Sequence, residues 1–323
     1  MLKVTVLYNL PESDLEADLD TQKSAMEVAT GLKKNFETDL VGIKPGEVDS
    51  FVEKMNSDFV FNLVEWTGKE MELGIRVIEN MEKAGLPYSG SNAWGYRLGT
   101  DKAMMKKEME KNNIPTPKYM VVNNGSGIMN NGLMYPVIIK PSSEHCGIGI
   151  GQESLVNSDA ELGEKVEKML GKYKQPVLAE EFIDGRELHV TILDKRGQPW
   201  VLPPAEVVFV KKAGFRPILS YEGKWDEKSE EYKLSNMELA KLDPDIGSLV
   251  EDIAKECYRK LGGKDYPRVD MRVRGDEVFA LEINNNPGID YDAQSGIGVS
   301  ARAVGLSWEG LLKYIVENDT ANI

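Results

Sequence analysis

Hydrophobic and polar positions change period along this chain. Residues 1 to 95 alternate short apolar runs with faces of helical period. Lys3–Tyr8, Thr38–Ile43 and Asp58–Val64 read as strands. Thr21–Phe36 reads as a helix with Ala25, Met26, Ala29, Leu32 and Phe36 on one face. Asp49 or Ser50 can cap a short helix through Met55, and Glu70–Ala84 is a helix stopped by Gly85. This βαβα order predicts a parallel sheet covered by helices. The acidic segment Asn9–Asp20 follows the first strand, on the side where ligands bind in open α/β sheets. Its charge alone favours a solvated surface loop.

The second part reads as mixed α+β. Tyr88–Asn92 is turn chemistry leading to a domain junction. Thr100 or Asp101 caps a helix to about Asn113, ended by Pro115 and Pro117. Met134–Ile139 is an apolar strand, Asn157–Gly171 an amphipathic helix, and Pro176–Ile183 a further strand. Glu187–Leu193 is a strand with Glu187, His189 and Thr191 on one face. Pro199–Phe209 reads as antiparallel sheet broken by Pro203 and Pro204, and Ala213–Leu234 as a long functional loop. Helices follow from Asp243 through Leu261 and over Trp308–Asn318.

One hairpin carries the sharpest pattern. Arg268–Val273 and Val278–Asn284 both alternate at period two around Gly275. With Gly275, Asp276 and Glu277 as the loop, Val273 faces Phe279, Met271 faces Leu281 and Val269 faces Ile283 on the apolar side. On the polar side Asp270 then opposes Glu282, and Arg268 opposes Asn284. Opposed carboxylates with Cβ atoms about 5 Å apart are unfavourable unless a cation separates them. Asp270, Glu282 and Asn284 are oxygen donors that suit a hard cation such as Mg²⁺. The same carboxylates can equally be solvated, or paired with Arg268 and Arg272.

Composition narrows the classes. A chain of 323 residues with 41% hydrophobic and 28% charged content is expected to be soluble, with two or three domains. A net charge of −14 argues against nucleic acid as a partner. The cysteines, Cys146 and Cys257, form neither a metal-ligand spacing nor a disulfide framework. The first residues read as a strand rather than a leader, and no apolar run is long enough to span a membrane. A cytoplasmic protein is expected.

Two lysines sit where an anion would need them. Lys102 falls in the first turn of its helix, where the macrodipole disfavours a cation, so it either serves an anion or is simply exposed. Lys140 ends an apolar strand directly before the glycine-rich segment Ser142–Gly151. The backbone N–H groups of such a loop can approach phosphates. It is neither a Walker A motif nor a Rossmann fingerprint.

Five short segments, in this order and spacing, resemble the ATP-grasp superfamily and within it the D-alanine–D-alanine ligase branch. They are Tyr88–Lys102, Pro136–Ser142, Glu180–Glu187, Arg268–Asp270 and Glu282–Gly288. The resemblance implies an N-terminal α/β domain over 1–97, a central ATP-grasp subdomain over 98–186 and a C-terminal antiparallel-sheet subdomain over 187–323, with ATP between the last two. It implies that Lys102 and Lys140 contact ATP phosphates, with the backbone of Ser143, Gly147, Ile148 and Gly149 folding over them. Glu180, Glu181, Phe182 and Ile183 resemble the adenine hinge, and Glu187 the ribose-binding carboxylate. Lys224 resembles a mobile-loop lysine that reaches the γ-phosphate. Asp270, Glu282 and Asn284 look like ligands of two Mg²⁺ ions, or of Mn²⁺ in their place. Arg268 and the Gly288 N–H look like oxyanion stabilisers.

The implied activity is an ATP-dependent ligase joining a small-molecule carboxylate to an amine through an acyl phosphate, in a homodimer. The amino-acid half departs from the branch. The usual Gly-Gly-x-Ser-x-Glu loop after the first strand is replaced by Tyr8–Glu12, and a Ser-Leu pair after the Pro-Gly by Ile289–Gln294 with Asp290 and Asp292. Paired serines give way to Cys146 and Gly147, and a tyrosine to Trp225. D-alanine, other amino acids and small peptides therefore stay open as substrates, as does a kinase on the same fold.

Overall fold

The computed structural model describes residues 1–10, 16–66, 68–124 and 132–320. Its first layer comprises β1 (Lys3–Asn9), α1 (Glu16–Leu32), β2 (Glu37–Ile43), β3 (Phe59–Asn62) and α2 (Met71–Ala84). The three strands form a parallel sheet in the order β2-β1-β3. Both faces are covered, which is why β1 and β3 read as continuous apolar runs. Val4 and Val6 pack with Ala25, Val28, Ala29 and Leu32 of α1, whereas Leu7 and Val60 pack with Ile75, Ile78 and Met81 of α2. Met26, expected on the buried face of α1, is exposed, and Phe36 is buried beyond the helix end. The short helix expected before Met55 is a 3-10 turn over Phe51–Lys54.

Two helices join this layer to the rest. α3 (Ala93–Thr100), which the sequence pattern did not predict, is capped by Asn92, whose side chain accepts from the Gly95 N–H. α4 (Lys102–Lys111) is capped by Asp101, as expected. Next come β4 (Tyr119–Val122), β5 (Val137–Pro141), β6 (Leu155–Val156), α5 (Asp159–Tyr173) and β7 (Val177–Glu181). These strands form an antiparallel sheet in the order β4-β7-β5-β6, with α5 on one face.

The remainder builds the larger sheet from β8 (Arg186–Asp194), β9 (Pro199–Val201), β10 (Ala205–Phe209), β11 (Ser235–Leu239), β12 (Arg268–Arg274) and β13 (Glu277–Asn284). The order is β11-β10-β8-β12-β13, with β9 on β8, all antiparallel. The expected loop Ala213–Leu234 contains two short helices, α6 (Tyr221–Trp225) and α7 (Glu230–Lys233). α8 (Pro244–Lys260) covers one sheet face together with Leu98, Met105 and Met109 from α3 and α4. α9 (Gly296–Ala303) and α10 (Trp308–Thr320) close the chain, and α10 packs back onto the first layer through Leu311, Leu312, Ile315 and Val316. Among the described residues no helix is long and apolar enough to cross a membrane.

The hairpin register corrects the expectation near its turn and meets it at the site. Arg274 pairs with Glu277, so the connection is two residues, Gly275 and Asp276, with Gly275 at φ +58°. Val273 therefore opposes Val278, and Met271 opposes Ala280. A β-bulge then places Leu281 as an extra residue, and the expected pairs Asp270–Glu282, Val269–Ile283 and Arg268–Asn284 are restored. The core side of β13 is Val278, Ala280 and Ile283, while Leu281 turns to the cavity.

Candidate active site

The uncovered face of the large sheet is the floor of a cavity of about 520 Å³. Register arranges that floor in rows across β8, β12 and β13. Glu187 lies beside Arg272, His189 beside Asp270 and Glu282, and Thr191 beside Arg268 and Asn284. All of these residues line the cavity. Period-two alternation puts each strand's contribution on one face, and antiparallel pairing aligns the rows.

The small sheet forms the facing wall. Lys140 on β5 is ion-paired with Glu180 on β7, and Lys106 on α4 approaches the other oxygen of Glu180 at 2.8 Å. Lys106 also donates to Thr116 Oγ1 at 2.7 Å. Burial alone would push the Glu180 carboxyl up, but the two ammonium groups hold it at about 2. Lys140 is held above its usual value by Glu180 despite burial, whereas desolvation lowers Lys106. Lys102 is 7% exposed, donates to the Glu144 carbonyl and lies 3.8 Å from Glu282. Lys102, Lys140 and Lys224 thus reach one cavity from three segments. Glu181, Phe182 and Ile183 line it as well, with the Arg272 guanidinium 4.9 Å from the Phe182 ring centre.

The glycine-rich segment and α6 close over the cavity together. Trp225 Nε1 donates to the Cys146 carbonyl at 2.9 Å, and the Tyr221 N–H donates to Ile150 at 3.0 Å. Gly147, at φ +80°, lies so close that a Cβ there would sit 3.2 Å from the Tyr221 nitrogen. Gly147 is part of the cavity wall; Ser143, Ile148 and Gly149 are not. A Cβ on Gly149 would meet Pro141 and Tyr173 instead. Gly288 lines the cavity with open space around its Cα.

The floor carboxylates already have cationic neighbours. Arg268 forks onto Asp270 (Nε–Oδ1 2.6 Å, Nη2–Oδ2 2.8 Å), and Asn284 Nδ2 donates to the same carboxylate at 3.1 Å. Asp270 is held well below the usual carboxylate range, chiefly by Arg268 working against burial. Glu282 is lowered to about 2, with Lys102 as the leading favourable charge. Of the two arginines that could pair with the opposed acids, only Arg268 does; Arg272 pairs with Glu187. Among the described residues no group of His, Cys, Asp and Glu side chains is gathered as a ready metal cluster. The donor chemistry still fits a hard cation, because Asp270, Glu282 and Asn284 bring only oxygen ligands.

Sequence reasoning missed the other end of the cavity. Asp20, Ser24 and Glu27 of α1 line it, as does Glu65 just after β3. Asp20 lies at the end of the acidic segment whose charge favoured a solvated loop over ligand contact, and 11–15 fall outside the described residues. Glu65 stands at the C-terminal end of a parallel strand, a position that could have flagged it. His145 Nδ1 and Cys146 Sγ both lie 3.8 Å from its Oε1. Burial lowers His145 to about 3 and raises the Cys146 thiol, so this pair is no activated nucleophile. His189 is 4.0 Å from Asp270 and is pulled to about 4 by burial.

Comparison with known proteins decides the family. Residues 109–317 match the model described as the D-ala D-ala ligase C-terminus. A D-alanine–D-alanine ligase of Marinomonas sp. is 31% identical over 322 residues, 98% of this chain and 95% of that one. The chain belongs to the D-alanine–D-alanine ligase family. The ligase is also similar to an uncharacterised protein y4sG of Sinorhizobium fredii, 33% identical over 262 residues, 81% of this chain and 74% of that one. Its fold matches the crystal structure of D-alanine–D-alanine ligase from Bacillus anthracis complexed with ATP, with a TM-score of 0.76 and 22% identity over 99% and 98% of the two chains. The fold is therefore ATP-grasp, and the protein is an ATP-dependent carbon–nitrogen ligase.

Proposed function

We propose that this ligase activates the carboxylate of a small amino acid, with D-alanine as the reference case, and joins it to an amine. The relatives named as D-alanine–D-alanine ligases support this reading. The observation that carries it is the meeting of Lys102, Lys140 and Lys224 with the Asp270–Glu282 row in one cavity. ATP lies between the two antiparallel sheets, its base against Glu181–Ile183 and its ribose near the Glu187 carboxylate. The three lysines neutralise the triphosphate, which is most of what phosphoryl transfer asks of a protein.

Asp270, Glu282 and Asn284 would hold Mg²⁺, which when bound supplies charge neutralisation at the phosphates. The substrate carboxylate oxygen attacks the γ-phosphorus, and ADP leaves with the bridging oxygen. The amine nitrogen then attacks the acyl phosphate carbon. Arg268 and the Gly288 N–H stabilise the negative charge that builds on its oxygen. Collapse expels inorganic phosphate, and the nitrogen loses its proton. The lid formed by the glycine-rich segment and α6 keeps water from the acyl phosphate. In this reading 98–186 and 187–323 are the jaws around ATP and 1–97 carries part of the substrate site.

ADP release measured over paired amino acids and amines, with mass spectrometry of the products, tests the reading. A carbon–nitrogen product formed with stoichiometric ADP and phosphate is expected. A stable phosphorylated product with no such bond would make the protein a kinase.

A further inference from the structure

The last row of the cavity floor holds a group that the mechanism above leaves unused. Thr191 on β8 stands beside Arg268 on β12, which stands beside Asn284 on β13. Thr191 is 1% exposed and lines the cavity. Its backbone carbonyl accepts from the Leu202 N–H at 3.0 Å, but among the described residues its hydroxyl has no hydrogen-bond partner.

The row neighbours do not supply one. Arg268 turns Nε and Nη2 to Asp270, at 2.6 and 2.8 Å, and Asn284 Nδ2 turns to the same carboxylate at 3.1 Å. Both polar heads lean toward the middle row, and the Thr191 hydroxyl is left to the cavity. Buried polar groups are nearly always paired, and leaving one unpaired costs free energy. The partner therefore comes from what enters the cavity.

The place of Thr191 along its strand says which molecule that is. Successive rows lie two residues apart, roughly 7 Å along a strand. Glu187 in the first row meets the ribose, and Asp270 and Glu282 in the middle row meet the metal and the phosphates. The third row lies beyond the phosphates, level with Arg268, where the acyl carbon meets the nitrogen that attacks it. A threonine hydroxyl has lone pairs to accept with and a proton to donate. An α-amino acid carries its amine and its carboxylate on one carbon, so it can satisfy both at once.

We propose that Thr191 is a substrate-contacting residue that orients the acceptor amino acid, its hydroxyl accepting from the attacking amine and donating to the α-carboxylate of the same molecule. The inference rests on the ligase reading above and adds the residue that aims its nucleophile. Thr191 keeps its own proton throughout. Its contribution is to hold the nitrogen at attack distance, about 3–3.5 Å from the acyl carbon.

Thr191→Val, Thr191→Ser and Thr191→Ala are to be assayed as full-length enzymes with ATP, Mg²⁺ and D-alanine, or with the most productive amino-acid pair of the screen above if D-alanine gives no product. Excess hydroxylamine traps the acyl phosphate as a hydroxamate and so reads the first half of the reaction alone. Thr191→Val should lower kcat/KM for the acceptor about tenfold, the loss of one hydrogen bond, while hydroxamate formation and KM for ATP stay within about twofold. Thr191→Ser keeps the hydroxyl and should stay within about threefold of the wild type, whereas Thr191→Ala should fall with Thr191→Val. Tm of the ligand-free Thr191→Val enzyme should not drop, because no bond within the protein is lost. If Thr191→Val does not fold, Thr191→Ser against Thr191→Ala decides. Wild-type product formation in Thr191→Val, equal falls in hydroxamate and in carbon–nitrogen product, or a Thr191→Ser enzyme no better than Thr191→Ala overturns the proposal. A wild-type enzyme that binds ATP but yields neither hydroxamate nor carbon–nitrogen product with any pair would refute the ligase reading beneath it.

Discussion

The Lys106–Glu180–Lys140 triad offers a quantitative test of how the nucleotide wall is held. Glu180 is 1% exposed, and its carboxyl is held at about 2 against an ordinary 4.5. That difference corresponds to about 3 kcal/mol favouring the charged form in the folded state. Glu180→Gln removes the anion and leaves two buried ammonium groups unopposed, so a loss of about 3–5 kcal/mol is expected. Lys106→Met removes one cation while Glu180 keeps Lys140, so a smaller loss of about 1–3 kcal/mol follows. Urea unfolding at neutral pH ranks the two variants. Because the folded pKa is lowered, the stabilisation is complete above about pH 4.5 and disappears as pH falls toward 2. The gap between the wild type and Glu180→Gln should close over that window. Lys106 is outside the cavity wall, so Lys106→Met should raise KM for ATP through a misplaced Lys140 with kcat less affected. A Lys106→Met variant less stable than Glu180→Gln, or a gap that does not depend on pH, would refute the reasoning.

Asp270→Asn should leave a folded protein by circular dichroism, since the amide still accepts from Arg268, while ATP turnover falls by about 100-fold or more; substantial residual turnover would remove Asp270 from the site. Asp290, raised by burial and Asp292, weakens the fold once ionised. Its folded pKa of about 6 lies above the ordinary 3.8, so Asp290→Asn should raise Tm at pH 7–8, with the gain vanishing as pH falls through 6 toward 4. Gly288→Ala should fold normally and keep activity within about tenfold, because a Cβ there meets nothing within 4 Å and the N–H is retained; a much larger loss in kcat would show that the missing side chain, not the N–H, is what the site needs.

The parts of the site legible in the sequence were those written in alternation. Arg268, Asp270, Glu282 and Asn284 fall on one face by period two, and Glu187, His189 and Thr191 do likewise on β8. That β8 and β12 are neighbours is a tertiary fact, and it turns two separate faces into rows. Lys106 was missed because it sits in a lysine-rich helix, Lys102–Lys111, where Lys107 beside it is exposed. A signal was present, for Lys102, Met105, Lys106 and Met109 fall on one stripe, and all four are buried. α3 and α9 escaped notice because each carries two glycines, which weaken helix propensity until tertiary packing overrides it. β11 was missed because Ser-Asn-Met-Glu-Leu at a sheet edge buries too little to show a pattern. Glu65 had only its place just past a parallel strand to mark it; the convergence of α1, β3 and the segment after β13 makes it part of the site.

Leu281 sets the hairpin's phase. The spacing from Asp270 to Glu282 is compatible with two arrangements, a three-residue turn with unbroken pairing or a two-residue turn with one slip. Both put the acids opposite each other and differ only in which residues fill the core between them. Removing one residue from the outer hairpin can therefore be absorbed by annealing the bulge out, which keeps the two-residue turn and leaves Glu282 and Asn284 in place. The outer half of the hairpin is free to vary in length and packing without moving its inner half, which makes the bulge a mechanical clutch between the turn and the chemistry.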